Sequence, residues 1–417
     1  MLNGACQCWR RLSAFYFFYF AFLGAWIPFW NLYLEQEAGF DAAAIGALSA
    51  LVLGTRVVGP SLWGWVSDHY GNRVQVIRWG SFVACITFLG IFASHDFYWI
   101  ALVISVYSFF WHSVLSLFEA VTLSHLKENT HFYGRIRLWG SVGFAGAVLG
   151  LGYFFDLFAI RYLPWILWLL LAGIWLCSLL VHDEPKTTVD RTNQSHSSFA
   201  QFLQQLRRRE VVIFFVVCFL VQFSHGPYYT FYSIYLEELG YQRVTIGGLW
   251  ALGVLAEILL FMVIHRLYVR FSVYHLLVVT LVLSALRWFL IAAFPHYFTV
   301  LLFAQLLHAA SFGSFHAIAI DMVRRYFPAG SSGQAQAFYN AFSYGAGGAL
   351  GAMLSGIFWS QGSSIIFAVA GGSVVLALVV LVVGSPFVRD LPFFQVPVEV
   401  KPVADSVKEV AQGFKRE

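Results

Sequence analysis

The chain has 417 residues, 59% of them hydrophobic, and only 11% are Asp, Glu, Lys or Arg, against about 25% in an ordinary soluble chain. So much apolar surface excludes a single water-soluble core, and a net charge of +4 is too small to point to nucleic acid. Apolar runs of about 20 residues recur along the whole length, so the chain reads as a polytopic helical membrane protein whose surroundings are the lipid bilayer.

In chain order the runs predict twelve helices, near 12–34, 44–67, 76–94, 97–123, 136–156, 163–181, 211–236, 245–264, 273–293, 297–323, 333–358 and 364–385. The first run is too long for a signal-peptide core and no cleavage site follows it, so it reads as a retained helix. The loops alternate in charge. Arg10 and Arg11, Arg73 and Arg78, Lys127 with Arg135 and Arg137, Arg207 to Arg209, Arg266 with Arg270, Arg324 and Arg325 share one side; Glu35, Glu37, Asp41, Asp96, Glu237 and Glu238 hold the other, with Arg161 and Arg243 as its cations. The positive-inside rule then places both termini in the cytoplasm, in a plasma (inner) membrane. Residues 183–210 are polar and Ser/Thr/Gln-rich, as a cytoplasmic linker should be. They divide the chain into an N-terminal six-helix bundle, 1–182, and a C-terminal one, 211–385, followed by a cytoplasmic tail, 386–417. Cysteines 6, 8, 85, 177 and 218 give an odd count inside helices or at the cytoplasmic end, hence no disulfide framework, and Cys6-x-Cys8 lacks partners for zinc. No metal and no cofactor is expected. Neither a P-loop nor a helical His-x-x-x-His pair occurs, which speaks against a pump or a membrane enzyme.

The halves resemble each other. YLEQEAGFDAAAIGALSALVLGTR, from Tyr33, aligns with YLEELGYQRVTIGGLWALGVLAE, from Tyr235, so that Gly39 meets Gly240, Ile45-Gly46 meets Ile246-Gly247 and Arg56 falls opposite Glu257. FEA at 118–120 matches FHA at 315–317, setting Glu119 against His316. An ionisable side chain facing lipid at mid-membrane costs about 2.5–3.5 kcal/mol. Arg56, Glu257, Arg287 and His308 should therefore turn toward a shared aqueous chamber or toward one another, as in a transport path or proton relay; a static Glu257–Arg287 pair that only fixes packing is the plainer alternative. Asn31, after Pro-Phe-Trp in helix 1, is a candidate cavity donor or a carbonyl-bonding group. His112 and His225 read as packing histidines, and Asp321 as a helix-end partner of Arg324 and Arg325. Glycines in 138–155 and 344–358, on the equivalent helices 5 and 11, suit close and sliding helix contacts. Pro227 beside Gly226 predicts a kink in helix 7. Tyr98 and Trp99 read as interfacial belt residues.

After helix 2, GWVSDHYGNR resembles the signature of the major facilitator superfamily, Gly-x-x-x-Asp-x-x-Gly-x-Arg, at Gly64, Asp68, Gly71 and Arg73. Gly64 permits close helix contact, Gly71 a tight turn, and Asp68 can pair with cations across a gate. FEAVTLSHLKENTHFYGRIRLWGSVGFAG, GVLAEILLF, LRWFLIAA and LLHAASFGSFHA further resemble the phenylpropionate permease branch, related to lactose permease and nucleoside:proton symporters. That resemblance implies an all-α membrane fold of two pseudo-symmetric six-helix bundles rocking about a midplane site. It implies a substrate site at Glu119, Arg137 and Phe144, with Arg56 or Arg137 as the anion partner, and proton coupling through Glu257, Arg287 and His308; on the residues alone Asn31 and His316 are further candidates, with a plain loop-edge salt bridge as the alternative for Glu119–Arg137 and a bond to a neighbouring carbonyl as that for His316. The sequence departs from lactose permease at Ser311, where the relative has a carboxylate, and in helix 7, which carries His225 where acidic residues would stand. Glu257 thus becomes the leading proton carrier, since desolvation favours a protonated carboxyl and a guanidinium favours the carboxylate. The expected function is proton-coupled symport of a small organic solute such as an aromatic carboxylate by one monomeric chain, with no enzymatic activity. A sugar or nucleoside symporter, or an efflux antiporter of the same fold, is the alternative.

Overall fold

A computed structural model of the chain describes residues 2–126, 132–182, 199–327 and 331–388. Among them twelve helices are long and apolar enough to cross a membrane: α1 (Trp9–Gln36), α2 (Ala42–Ser67), α3 (Arg73–Phe92), α4 (Phe97–Leu126), α5 (Tyr133–Leu157), α6 (Ile160–Leu179), α7 (Arg209–Glu238), α8 (Arg243–Arg270), α9 (Val273–Ala293), α10 (Phe298–Tyr326), α11 (Ser332–Gln361) and α12 (Ser363–Val383). Each predicted helix has its counterpart. The helix that carries α1 begins at Leu2, ahead of the expected start near 12, and α8 runs on through HRLYVR to Arg270 instead of stopping at 264. Residues 183–198 of the expected linker and 389–417 of the expected tail lie outside the described residues.

Local chemistry sets the ends. Asp41 Oδ1 accepts the Ala44 amide at 2.8 Å at the start of α2, and Asn72 Oδ1 accepts the Gln75 amide at 2.8 Å at the start of α3. Between them Gly71 adopts φ +73° and returns its N–H to the Ser67 carbonyl at 3.0 Å. A side chain would be strained there, so the expected tight turn is present. The helix carrying α7 continues through Pro227.

The two halves pack alike. α1 lies against α5 and α6, and α7 against α11 and α12. Each half has its own buried core, the first built around α1 and α4 with Phe22, Trp30 and Tyr107, the second around α7 and α9 with Tyr228, Trp288 and Phe367. A short amphipathic helix, Phe199–Leu206, seats Phe202 between Phe327 and Phe338 of the second half.

Glycines make the closest contacts. A Cβ on Gly143 of α5 would collide with the Phe17 carbonyl of α1, and one on Gly351 of α11 with the Phe223 carbonyl of α7, the same contact in both halves. Between halves, a Cβ on Gly46 would lie 2.8 Å from the Ala352 carbonyl, and one on Gly247 2.5 Å from the Val148 carbonyl. Gly46 and Gly247 are the pair aligned by the internal repeat, so α2–α11 and α5–α8 are equivalent crossings of the central seam. Gly64 does not serve a close helix contact, because a Cβ there would meet open space.

The seam is closed at the end away from the linker. There Arg243 bonds Glu237 (2.8 Å), Gln36 (2.7 Å) and the Phe155 carbonyl (3.0 Å). Gln36 also donates to Glu237 at 2.8 Å, and Trp359 to Glu238 at 3.1 Å. Asp156 of α5 accepts the backbone amides of Arg243 and Val244 at 2.8 and 3.0 Å. A carboxylate of one half thus caps the first turn of a helix in the other, where the helix's own N-cap, Gln242, makes no side-chain bond.

Candidate functional site

Below that closure lies a cavity of about 230 Å³ between the halves. α1 contributes Trp26, Trp30 and Asn31, α2 Ser49 and Arg56, α4 Trp111 and His112, α7 Tyr229 and Thr230, α10 Phe312 and α11 Tyr344. The wall is mostly apolar, with Leu23, Ile27, Val52 and Leu53 beside the aromatic rings, and Trp26 and Trp30 stack with centroids 4.4 Å apart. Polar groups are few and mostly committed to each other. Asn31 Nδ2 donates to the Thr230 carbonyl across the seam at 2.8 Å, and its Oδ1 accepts from Ser49 at 3.4 Å. His112 Nδ1 meets the Thr55 hydroxyl at 2.9 Å. Arg56 is half-buried at the wall and faces no carboxylate among the described residues.

A second polar cluster sits behind this wall, inside the C-terminal half. Glu257 of α8 packs against Gly313 of α10, and His308 Nε2 approaches its Oε1 to 2.8 Å without hydrogen-bond alignment. Arg287 of α9 is wholly buried. It donates to the Ser311 hydroxyl at 2.9 Å and to Gln305 Oε1 at 3.4 Å, and its guanidinium lies 4.3 Å from the ring centroids of both Tyr228 and Trp288. Tyr228 donates to the same Gln305 oxygen at 3.1 Å. Residues 309–314 of α10 form a π-turn, as do residues 340–347 of α11. Such bulges shift the faces of a helix and recur at functional sites. Phe312, in the first of them, stacks between His308 and His316 and presents its ring to the cavity. His316 Nδ1 in turn meets the Tyr344 hydroxyl at 2.9 Å.

The expected single chamber is therefore divided. Of Arg56, Glu257, Arg287 and His308, only Arg56 lines the central cavity; the others form one cluster behind Phe312 and Tyr229. Arg287 pairs with Ser311 and Gln305 rather than with Glu257, because the π-turn brings Ser311 to its guanidinium. Glu119 and Arg137 face each other at 3.7 Å toward the linker end, with the Arg137 guanidinium 3.9 Å from the Phe20 ring centroid. Phe144 is packed into the core of the second half and is not part of the cavity wall. Arg325 pairs with Asp321 at 2.8 Å, and His225 Nδ1 bonds the Val221 carbonyl at 2.8 Å, both as expected of helix-end and packing groups. The Asp68 side chain lies outside the described residues, and Arg73 keeps partners at the start of α3. Sequence reasoning missed Gln305, Tyr228, Phe312, Tyr344 and the Asp156 cap. The only trace of the first four is the density of aromatic and amide side chains among small residues in helices 7, 10 and 11.

Comparison with known proteins agrees with the twelve-helix fold. A model of the MFS_1 like family matches residues 9–369. A protein of Escherichia coli (strain K12) described as "Probable 3-phenylpropionic acid transporter" is 26% identical over 357 residues, covering 85% of this chain and 92% of that protein. The "Maltose permease" of Geobacillus stearothermophilus is 29% identical over 339 residues, covering 80% and 83%. Among solved structures, the nucleoside transporter NupG superposes with a TM-score of 0.77 at 18% identity, covering 90% of this chain and 98% of that one.

Proposed function

The chain belongs to the MFS_1 like family and is a multi-pass membrane transporter, not an enzyme; on that premise we propose that it carries a small aromatic carboxylate together with protons, by alternating access. The observation that carries this reading is Arg56, a cation with no carboxylate partner among the described residues, on the wall of a cavity that is otherwise mostly aromatic and aliphatic. An apolar cavity of about 150 Å³ holds a benzene molecule. About 230 Å³ leaves room for a ring and a short acidic side chain, with the ring between Trp30, Trp111 and Phe312 and the carboxylate on Arg56. Glu257 and His308, 2.8 Å apart behind Phe312, carry the coupling proton between them. The site is complete within one chain, so a monomer suffices. The Arg-rich linker end is the cytoplasmic one by the positive-inside rule. The closed far end then corresponds to an inward-facing conformation in a plasma (inner) membrane, with Asp68 and Arg73 assigned to the cytoplasmic gate.

A second reading rests on Asn31, Ser49 and Thr230, whose polar strip across the seam could bind hydroxyl groups of a sugar or nucleoside. Thermal-shift measurements on the purified chain with 3-phenylpropionate, maltose and uridine separate the two. Stabilisation by phenylpropionate, weakened about 10–100-fold in Kd by Arg56→Gln, is expected for a charge-assisted bond lost from the cavity wall. Stabilisation by maltose or uridine alone would overturn the aromatic carboxylate. Counterflow in proteoliposomes, with internal pH recorded, then reads direction and coupling, and proton efflux on substrate entry would identify an antiporter.

A further inference from the structure

A second groove, apart from the central cavity, lies on the outer surface of the first half. It is a cleft of about 610 Å³ between α1 and α5, at the linker end. Trp9, Arg10 and Arg135 lie at the ends of the two helices and form its mouth, and Ala14, Phe17 and Trp139 line its floor farther along α1 and α5. Arg10 and Arg135 are exposed and face no carboxylate among the described residues; Arg135 rests 5.2 Å from the Phe132 ring centroid. Trp139 is half exposed. From Trp9 to Phe18 the groove follows α1 for about 13 Å, along the membrane normal.

Its polarity is graded. Both charges sit at the end where lipid headgroups lie, beside indole rings of the kind that settle at that level, and apart from Ser13 the rest of the wall is carbon. A soluble anion would use the mouth and leave the floor wet. An apolar solute would use the floor and leave two guanidinium groups idle. The occupant that fits both parts is an amphiphile with an anionic head and an acyl chain. We propose that this cleft seats one anionic phospholipid, its phosphate between Arg10 and Arg135 and one chain over Ala14 and Phe17. The proposal is independent of what the central cavity carries.

Native mass spectrometry of the full chain released from micelles containing equal phosphatidylglycerol and phosphatidylcholine tests it. The wild-type protein should retain phosphatidylglycerol at least fivefold over phosphatidylcholine, and Arg10→Gln with Arg135→Gln should reduce that ratio toward one. Ala14→Trp, which keeps both charges but fills the groove, should lower phosphatidylglycerol retention as well, and it serves if the double variant does not fold. Equal retention of the two lipids by the wild type, or an unchanged ratio in a folded variant, would overturn the proposal. So would thermal stabilisation by inorganic phosphate equal to that by phosphatidylglycerol, which would make the mouth a simple anion site.

Discussion

A carboxyl group halfway along an apolar helix has to be matched by something, and for Glu257 the match is local. Its side chain packs against Gly313 and His308, where the glycine leaves room and the imidazole Nε2 lies 2.8 Å from the carboxyl oxygen. Arg287 takes a different solution to the same problem: two hydrogen bonds to α10 and two aromatic faces spread its charge within the bundle. If Glu257 carries the coupling proton, Glu257→Gln keeps the shape and the contact with His308 but cannot release a proton. Gradient-driven uptake into proteoliposomes should then fall at least tenfold, while substrate exchange across the membrane persists. Uptake that survives unchanged would return Glu257 to a packing role, and loss of exchange as well would point to substrate binding instead.

At the scale of elements, much was legible because the internal repeat constrains it. Aligning Ile45-Gly46 with Ile246-Gly247 placed two residues in different halves that prove to make equivalent seam contacts. Arg56 and Glu257 each follow their glycine by the same number of residues, so their common depth could be read as well. Their partners could not. The π-turns at 309–314 and 340–347 rotate everything after them by part of a turn, and no hydrophobic periodicity announces such a turn. The Asp156 cap was also hidden, since a cap supplied by another helix leaves no local spacing to find. The glycines themselves separate stability from state. Gly143→Ala or Gly351→Ala overpacks a contact within one half and should lower Tm, by roughly 1–3 kcal/mol of stability. Gly247→Ala intrudes between halves at the closed end. It should leave Tm nearly unchanged and raise the reactivity of cavity-facing cysteine probes toward reagents added from the far side; a Tm loss equal to that of Gly143→Ala would show that the two classes of contact are not distinct.

For the whole molecule, the proposed alternating access would require the far-end closure to break in every cycle, so on that reading its strength must be modest and its parts identifiable. Arg243 is the hub. It holds Glu237 of its own half, and Gln36 and the Phe155 carbonyl of the other, while its amide and that of Val244 rest on Asp156. Opening exposes all of these groups to water, which replaces their bonds, so each contributes little net free energy. Arg243 and Glu237 retain 18% and 25% side-chain exposure, which lowers the charge term further. Arg243→Gln should then weaken closure by about 1–2 kcal/mol, or ~5–30-fold in the closed-to-open ratio. Spin labels at Glu37 and Gln242, which are exposed on opposite halves, would report this as a growing long-distance population. Asp156→Asn should act in the same direction, because the amide keeps one acceptor oxygen where the carboxylate gives one to each backbone N–H, turns an NH2 toward the other, and lacks the charge that a helix N-terminus favours. A distance distribution indifferent to both substitutions would mean that the glycine contacts of α2–α11 and α5–α8 hold the far end shut by packing alone.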